Sequence, residues 1–439
     1  MIDRGPSPSS RGVLGRRPAP ALPAEAVSGS APRVRAWARL FLVLALCLVA
    51  APGSEARRSS DSPLDTDTLP PRVVAIGDVH GAHEQLRGLL RKVGLIDDAD
   101  RWIGGDTVLV QTGDLLDRGS GVLATLELLR GLEPQARAAG GRVVVLLGNH
   151  ETMNLLMDLR DVSSESLLPF TDRRSERRRR SHCRRVRTLE LRRAAKAGLE
   201  TPPRDRIEAR CQEETPLGLI EYIEALGPDA ELGSWLRGLP VAVRLGPWLF
   251  VHGGLSPSLS GFELEEIDRR VHEEIDHFDR MRRHLLNRGL IVETSPLAEI
   301  VAVARGLDLA ARREGYPISS PSLDELAEFL DIDSWWVISS EGPLWYRGYA
   351  NLAPQELDGL VTVLEGVGAE RVASGHTPRK SRSIEVRGNE RFFLIDTGML
   401  RSVYRGRAAA LEISGERIRA VYGDGEHQDL VDAETVPTP

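Results

Sequence analysis

Residues 113–119 place two carboxylates and a guanidinium in one short loop. The loop follows an apolar run, residues 108–110, that predicts a buried strand. Asp114 stands where this strand ends, Asp117 follows three residues later, and Arg118 offers a planar fork that fits phosphate oxygens. These residue types can hold a metal ion beside a phosphate group. Taken alone, the loop could also be an Asp-Gly turn with a surface ion pair.

A second apolar run, residues 73–76, leads directly into a glycine-flanked loop that carries Asp78 and His80. In an extended segment, side chains two positions apart point to the same side. We therefore expect this carboxylate and this imidazole to face a shared point. The flanking glycines allow the backbone and a ligand to approach closely.

A third apolar run, residues 142–147, ends in Asn149 and His150. The three units each consist of a strand, a polar loop and a helix, and this order predicts an α/β sheet with a site along one edge. Later in the chain, a predicted hairpin delivers His252, and another apolar run precedes His376.

The polar side chains that end predicted strands form a mixed set of possible metal ligands. They are Asp78, His80, Asp114, Asn149, His150, His252 and His376. Carboxylate, imidazole and amide donors together suit Mn, Fe or Zn better than Ca or Mg. The set is too large for one tetrahedral site, and it is about large enough for two metal ions that share Asp114.

The motifs GDVHG, GDLLDRG, GNHE, HGG and GHTP occur in this order, and the run resembles the calcineurin-like metallophosphoesterases. The Asp-Arg-Gly and Asn-His-Glu forms are similar to the phosphoprotein phosphatase branch. The longer segments GNHETMNLLMDLR and GPLWYRG resemble the Shewanella-like protein phosphatases. The resemblance covers residues 71–424, and it implies a four-layer α/β/β/α sandwich with helical insertions.

The resemblance implies two divalent metal ions, Mn, Fe or Zn, in sites that share one ligand. The first site would be formed by Asp78, His80 and Asp114. The second would be formed by Asp114, Asn149, His252 and His376. Two such cations can clamp a phosphate and lower the pKa of a bound water, so that hydroxide is available to attack phosphorus at neutral pH.

The resemblance also implies the residues that would act on the phosphate. His150 would be the general acid, and Asp117 would orient it. Arg118 and Arg347 would hold the phosphate and neutralise its oxygens, with Asn149 beside them.

Three functions remain open at this point. The first is a phosphatase that acts on a phosphoprotein or phosphopeptide. The second is a hydrolase of small phosphoesters such as dinucleoside polyphosphates. The third is a catalytically idle binding module of the cell envelope. The complete set of metal ligands, general acid and arginines argues against this third function. The sequence leaves open the preferred phosphorylated residue, the native metal and the oligomeric state.

The net charge of −7 argues against a nucleic-acid partner. Residues 1–56 predict a leader with a secretory signal, because residues 40–51 carry no charge and are too few to span a bilayer. We therefore expect export to the periplasm or the extracellular space, with an uncleaved membrane anchor as the alternative. Residues 57–70 predict a linker and residues 71–439 the metallophosphoesterase domain.

Two long insertions are expected in this domain, at about residues 160–215 and 262–314. The first is rich in arginine, and it is either a solvated, partly helical segment or a docking surface for an anionic partner. Cys183 and Cys211 lie within it, and we expect them to form a disulfide in an oxidising compartment. The second predicts helices.

Two expectations concern the later strands. Residues 335–338 are apolar and predict a further strand. Residues 383–422 alternate short β-rich runs with turns, and they predict a second, antiparallel sheet or meander.

Overall fold

A computed structural model describes residues 66–314 and 321–431. The predicted leader and residues 57–65 of the predicted linker lie outside the described residues. The end of the linker is bonded to the domain, because the Thr66 N–H donates to the Arg244 carbonyl at 3.1 Å and the Gly246 N–H donates to the Thr66 carbonyl at 2.7 Å.

The strands of the described residues are short, and most of those nearest the site are fully buried. In chain order they are β1 (Val73–Ile76), β2 (Val108–Gln111), β3 (Arg142–Val145), β4 (Ala242–Leu245), β5 (Trp248–Val251), β6 (Arg371–Ser374), β7 (Glu385–Arg387), β8 (Phe392–Leu394), β9 (Ala409–Ser414), β10 (Arg417–Tyr422) and β11 (His427–Asp429).

The α-helices vary from single turns to more than six turns. In chain order they are α1 (His83–Lys92), α2 (Val122–Ala138), α3 (Asn149–Leu155), α4 (Ser164–Leu167), α5 (Ser175–Ala197), α6 (Arg204–Glu214), α7 (Leu219–Ala225), α8 (Glu231–Arg237), α9 (Leu264–Asn287), α10 (Leu297–Glu314), α11 (Leu323–Leu330), α12 (Gly348–Asn351), α13 (Asp358–Gly366) and α14 (Arg401–Tyr404). Short 3₁₀ turns occupy Leu168–Phe170, Pro257–Leu259, Ile332–Ser334 and Pro354–Glu356.

The strands form two sheets. The first has six strands in the order β11-β10-β9-β1-β2-β3, and the second has five in the order β4-β5-β6-β8-β7. Strands β1, β2 and β3 are parallel, as are β5, β6 and β8. Parallel strands bring their carboxyl ends to one edge, so the loops that follow β1, β2, β3, β5 and β6 can converge there.

The two sheets pack face to face, and helices cover their outer faces. Val73 and Ala75 share a buried cluster with Phe250 and Phe393 of the second sheet. Alternate residues of the same strands, such as Val74, belong to the cluster that contains the apolar faces of the helices. This period of two is what a strand buried on both faces requires. The expected four-layer α/β/β/α sandwich is confirmed.

Helix α1 illustrates why the outer layer forms. Leu86, Leu89 and Leu90 recur at helical spacing, and all three are fully buried. Glu84 lies in the first turn and Arg91 in the last turn, where each charge complements the helix dipole.

The insertion at residues 160–215 is largely helical, with α5 and α6 as its main elements. Cys183 and Cys211 form a disulfide that joins these two helices, with their Cα atoms 5.6 Å apart. The predicted insertion at residues 262–314 is formed by α9 and α10 and is helical as expected.

Many arginines of the first insertion are paired with acids of the same domain. Arg178 contacts Glu221 at 2.8 Å, and Arg193 contacts Glu299 at 2.6 Å. Arg185 likewise lies 3.1 Å from Glu293. Much of the positive charge of this segment therefore serves to attach α5 to its neighbours.

One expectation about the strands is wrong, and another is confirmed only in part. Residues 335–338 form turns, because the carboxylate of Glu274 accepts the N–H groups of Trp336 and Val337 at 3.0 and 2.9 Å and so replaces strand pairing. Residues 383–422 do not form a separate sheet. Strands β7 and β8 extend the second sheet through β6, whereas β9 pairs with β1 and starts an antiparallel meander on the first sheet.

Candidate active site and metal centre

Most of the predicted site residues lie in the loops beyond the carboxyl ends of β1, β2, β5 and β6. Asn149 and His150 follow β3 as the first residues of α3, and Arg347 directly precedes α12. The expectation that strand alternation aligns Asp78 with His80 is wrong, because β1 ends at Ile76 and His80 has a φ of 47°. A left-handed turn brings the two side chains together instead. The Asp78 Oδ2 lies 3.9 Å from the His80 Nε2.

Left-handed backbone recurs at Asp114, Asp117, Arg118 and His376, with φ values of 59°, 69°, 67° and 67°. Such a conformation costs about 1–3 kcal/mol for a residue other than glycine, and it persists only where the surroundings impose it. Here the backbone N–H groups of Val79 and His80 donate to the Asp114 carbonyl at 3.0 and 2.8 Å. These bonds hold the loop after β1 against the loop after β2. Backbone strain is thus concentrated where the polar side chains converge.

Glu151 fixes the second and third loops to each other. Its buried carboxylate accepts the backbone N–H groups of Asp114, Leu115, Leu116 and Gly148 at 2.7, 2.8, 3.1 and 2.8 Å. One side chain therefore satisfies four buried donors, which otherwise would have no partner in the loop. Glu151 belongs to a motif found in the sequence, but its role was not predicted.

Two motif glycines are required by close approach. A Cβ at Gly148 would collide with the Oδ1 of Asp114, and a Cβ at Gly375 would collide with the Oδ1 of Asp78. Any side chain at either position would displace a carboxylate of the site.

The loops assemble two groups of ligand atoms that share one carboxylate. The atoms of His80, Asp114 and His150 lie within 4.8 Å of one another, and so do those of Asp114, His252 and His376. All of these residues are buried. The shared position of Asp114 is the one that the sequence predicted.

Hydrogen bonds decide which nitrogen of each histidine faces this centre. The His80 Nδ1 lies 2.9 Å from the Leu116 carbonyl and the His252 Nδ1 lies 2.8 Å from the Thr112 carbonyl, so each Nε2 faces the centre. His376 is reversed, because its Nε2 lies 3.1 Å from the Trp345 carbonyl. Such contacts orient metal-binding imidazoles.

The electrostatics fit a pair of cations. Burial raises the pKa of Asp114 to about 7 and lowers the pKa of His252 to about 3. Burial also lowers the pKa values of His80 and His376, so these imidazoles are neutral and their lone pairs are available. Buried carboxylates beside neutral imidazoles form a donor set that positive charge would stabilise.

Asn149 completes the second group, since its Oδ1 lies 2.9 Å from the Nε2 of His252. The residues predicted for the second set thus lie together around Asp114. The first group differs from its prediction, because it contains His150, the predicted general acid, and not Asp78. A further carboxyl, Asp396, is buried beside Asp78, and burial raises its pKa to about 6. Asp396 was not predicted, and it lies far from the other residues in the sequence.

His150 is the first member of a chain of buried polar groups. Its Nδ1 lies 2.5 Å from the Oδ2 of Asp117. The Oδ1 of Asp117 accepts from the Asn154 amide at 2.9 Å, and the Tyr222 hydroxyl donates to the Asn154 Oδ1 at 2.7 Å. Burial opposes protonation of His150, but Asp114 and Asp117 outweigh it and raise the pKa of the imidazole.

The two predicted arginines border the metal-ligand groups from different sides. The Arg118 Nη1 lies 2.5 Å from the His80 Nε2 and also donates to the Tyr404 hydroxyl. Arg347 is exposed, and its Nη1 donates to the His376 carbonyl at 2.8 Å. Both guanidinium groups are within reach of an anion held beside the ligand groups.

Among the described residues, no helix is both long and apolar enough to cross a membrane.

Comparison with known proteins gives a family match. Residues 71–380 match the family model described as calcineurin-like phosphoesterase. The chain is also 36% identical over 221 residues to Shewanella-like protein phosphatase 2 of Arabidopsis thaliana. That alignment covers 48% of this chain and 53% of the plant protein, so the match spans about half of each.

Two other relatives carry different names. Shewanella-like protein phosphatase 1 of Plasmodium berghei is 23% identical over 356 residues, which is 80% of this chain and 74% of that protein. A symmetrical bis(5'-nucleosyl)-tetraphosphatase of Janthinobacterium sp. is 28% identical over 197 residues, 45% of this chain and 48% of that protein. The chain is therefore similar both to protein phosphatases and to a dinucleotide hydrolase.

Proposed function

The chain belongs to the calcineurin-like phosphoesterases, and on that basis we propose that it is a two-metal phosphatase that removes phosphate from phosphoproteins. Metal-dependent hydrolysis of phosphoric esters is the enzyme class that the sequence predicted. The observation that carries the proposal is the pair of ligand groups joined at Asp114, with Arg118 in contact with His80 of the first group.

The residues of the chain would hold two divalent ions as the sequence predicted. Asp78, His80 and Asp114 would form the first site. Asp114, Asn149, His252 and His376 would form the second. When bound, two cations of the Mn, Fe or Zn type would polarise the phosphoryl group and make water a stronger nucleophile.

Arg118 and Arg347 would bind the phosphate oxygens and neutralise charge as it builds in the transition state. The Arg347 Nη1 is positioned by the His376 carbonyl at 2.8 Å and by the Thr377 hydroxyl at 3.1 Å. Arg118 is held by Tyr404. Asn149 would lie beside the bound phosphate. Guanidinium groups held in this way lose little freedom when they bind an anion.

His150 would protonate the leaving oxygen from its Nε2. Its Nδ1 is occupied by Asp117 at 2.5 Å, and this contact keeps the ring in one orientation. The Nε2 lies 3.9 Å from the Oδ2 of Asp114, so it faces the site where the phosphate would be held. A positioned acid of this kind contributes roughly 10²- to 10⁴-fold to the rate.

The relatives support a protein substrate and also name an alternative, dinucleoside polyphosphates. A direct competition separates them. The metal-loaded protein would be offered a phosphopeptide and a dinucleoside tetraphosphate, and phosphate or nucleotide release would be measured for each. We expect the higher kcat/KM for the peptide. A higher value for the dinucleotide would replace the proposal by the alternative, and hydrolysis of neither would favour a binding module.

We also propose that the protein is exported through the signal in residues 1–56, with a membrane anchor as the alternative. The disulfide between Cys183 and Cys211 supports an oxidising compartment. The amino terminus of the mature protein tests the proposal. We expect it to follow residue 56 closely, and a mature chain that retains residues 40–51 would support the anchor.

An anionic partner for the Arg-rich insertion remains a proposal. Arg177 and Arg184 are exposed and seven positions apart on α5, which places them on one face. The double variant Arg177→Gln, Arg184→Gln should lose salt-sensitive binding to vesicles that contain phosphatidylglycerol. Exposed Arg288 and Arg305, changed in the same way, provide the control. Equal binding by both double variants would contradict the proposal.

A further inference from the structure

Asp161 lies at the edge of the candidate active site, in the segment between α3 and α4. Its Oδ2 lies 3.3 Å from the Nη2 of Arg118, and its carbonyl accepts the Arg118 N–H at 3.1 Å. The side chain is 36% exposed, so the carboxylate is accessible to a ligand. Asp161 belongs to none of the motifs identified in the sequence.

The same carboxylate also borders the general acid of the proposed function. The Asp161 Oδ2 lies 3.8 Å from the Nε2 of His150. Because Nδ1 of His150 is occupied by Asp117, Nε2 is the atom from which the leaving oxygen would take its proton. Whatever is attached to that oxygen must therefore pass close to Asp161.

Phosphate binding changes the balance of charge at this position. Before binding, Arg118 partly compensates the charge of Asp161. A phosphate that binds the Arg118 guanidinium leaves the negative charge of Asp161 less compensated. The neighbouring residues add little positive charge, because exposed Arg160 is paired with Asp158. A negative group next to the leaving oxygen would then be repelled, and a cationic group would be attracted.

We propose that Asp161 determines specificity by selecting the leaving group, so that phosphopeptides with a lysine or arginine beside the phosphorylated residue are preferred. This inference rests on the proposed function. Acidic phosphopeptides are disfavoured. Dinucleoside polyphosphates are disfavoured too, since their leaving group carries further phosphates beside the scissile bond.

The test compares two phosphopeptides that differ only in the residues flanking the phosphorylated one, lysine in one and glutamate in the other. Wild-type protein should show a higher kcat/KM for the lysine peptide, by roughly fivefold as expected for a partly exposed charge pair. The variant Asp161→Asn should lose most of this preference and should gain rate on the glutamate peptide. Asn keeps an oxygen that can accept from Arg118, so the fold of the loop is preserved.

Asp158→Asn is the matched control, because it changes a carboxylate three residues away that contacts Arg160 and not Arg118 or His150. It should keep the wild-type preference. p-Nitrophenyl phosphate has a leaving group without flanking residues. Its rate of hydrolysis therefore measures any effect of the variant that acts only through the position of Arg118. If Asp161→Asn lowers the rates on all three substrates by the same factor, Asp161 only positions Arg118 and the proposal is overturned.

The remaining outcomes separate this inference from the function beneath it. Wild-type protein that hydrolyses both peptides equally well overturns the role of Asp161 and leaves the phosphatase intact. Wild-type protein that hydrolyses neither peptide overturns the proposed function, and the role of Asp161 with it.

Discussion

The Nδ1 of His150 lies 2.5 Å from the Oδ2 of Asp117, and both side chains are almost completely buried. The contact joins the start of α3 to the loop that follows β2. It also leaves the Nε2 as the imidazole nitrogen that can meet a substrate. The proposed proton donation by His150 would therefore depend on a residue that need not touch the substrate at all.

Asp117→Asn should lower kcat on a phosphoserine peptide by about 10²- to 10⁴-fold. The Asn154 amide donates to the Oδ1 of Asp117, so the new side chain keeps its oxygen there and turns its amide nitrogen toward His150. The imidazole then loses the negative partner that favours its charged form. Steady-state kinetics with p-nitrophenyl phosphate should show a smaller loss, because that leaving group needs less protonation.

Two measurements control this prediction. The variant should bind as much metal as the wild type, since Asp117 is not a proposed ligand. Tyr222→Phe, which removes the hydrogen bond to the Asn154 Oδ1 at the far end of the chain, should cost less than tenfold. Equal losses for the good and the poor leaving group would contradict a general-acid role for His150.

Glu151→Gln should lower the free energy of unfolding by about 1–3 kcal/mol. The carboxylate accepts four backbone N–H groups, and an amide would turn its own N–H₂ toward some of them. Urea unfolding measures the change. Glu165→Gln, an exposed change on α4, should have almost no effect. A Glu151 variant as stable as this control would show that the loops are held by other contacts.

The disulfide should contribute about 3–4 kcal/mol to the stability of the α5–α6 pair, as expected for the 28-residue separation of Cys183 and Cys211. The denatured full-length chain should contain one free thiol, Cys47, rather than three. Replacing both cysteines by alanine should loosen this helix pair to proteolysis while phosphate release is retained. Three thiols in the unreduced protein would contradict the bond.

His272→Gln should destabilise the protein more at pH 5.5 than at pH 9. Burial opposes the charge of His272, but Asp268 outweighs it and raises the pKa of the imidazole. The Nδ1 lies 2.7 Å from the Asp268 carbonyl and the Nε2 lies 3.1 Å from the Leu239 carbonyl, so the doubly protonated ring satisfies both acceptors. The folded state thus favours the charged ring.

The pH window follows from the sign of this shift. The stabilisation is complete below the ordinary pKa of about 6.5 and is lost as the pH rises through the higher value in the folded state. Unfolding free energies at several pH values should converge for wild type and variant on the alkaline side. Exposed His427→Gln is the control. A difference that grows with pH would contradict the assignment.

Much of the site was predictable because parallel strands place their carboxyl ends at one edge. Asp114 and Asn149 could be expected to converge for that reason alone. His252 follows β5 of the second sheet, and it reaches them because the two sheets pack face to face. Asn154 could also have been found, since it lies four residues after His150 on α3 and therefore on the same face. The positions of Asp114, Asn149 and Asn154 follow from local geometry, which can be predicted from the spacing of residues in the sequence.

Other parts of the site depend on contacts between distant segments. Tyr404 reaches Arg118 across 286 positions, and no spacing rule signals that contact. The left-handed turn at His80 was not predicted either. Strand alternation also predicts that Asp78 and His80 lie close together, so their proximity did not reveal the turn. The missing strand at residues 335–338 shows the same limit, since a side chain of α9 supplies the acceptors there.

Phosphate release should depend on metal ions held around Asp114. We would strip the protein with chelator, titrate Mn²⁺ back, and follow phosphate release from a phosphopeptide together with bound metal. Release should be absent without metal, should rise until two ions are bound per chain, and should be nearly abolished in Asp114→Asn. Full release by the stripped protein, or an Asp114→Asn variant as active as the wild type, would contradict the account.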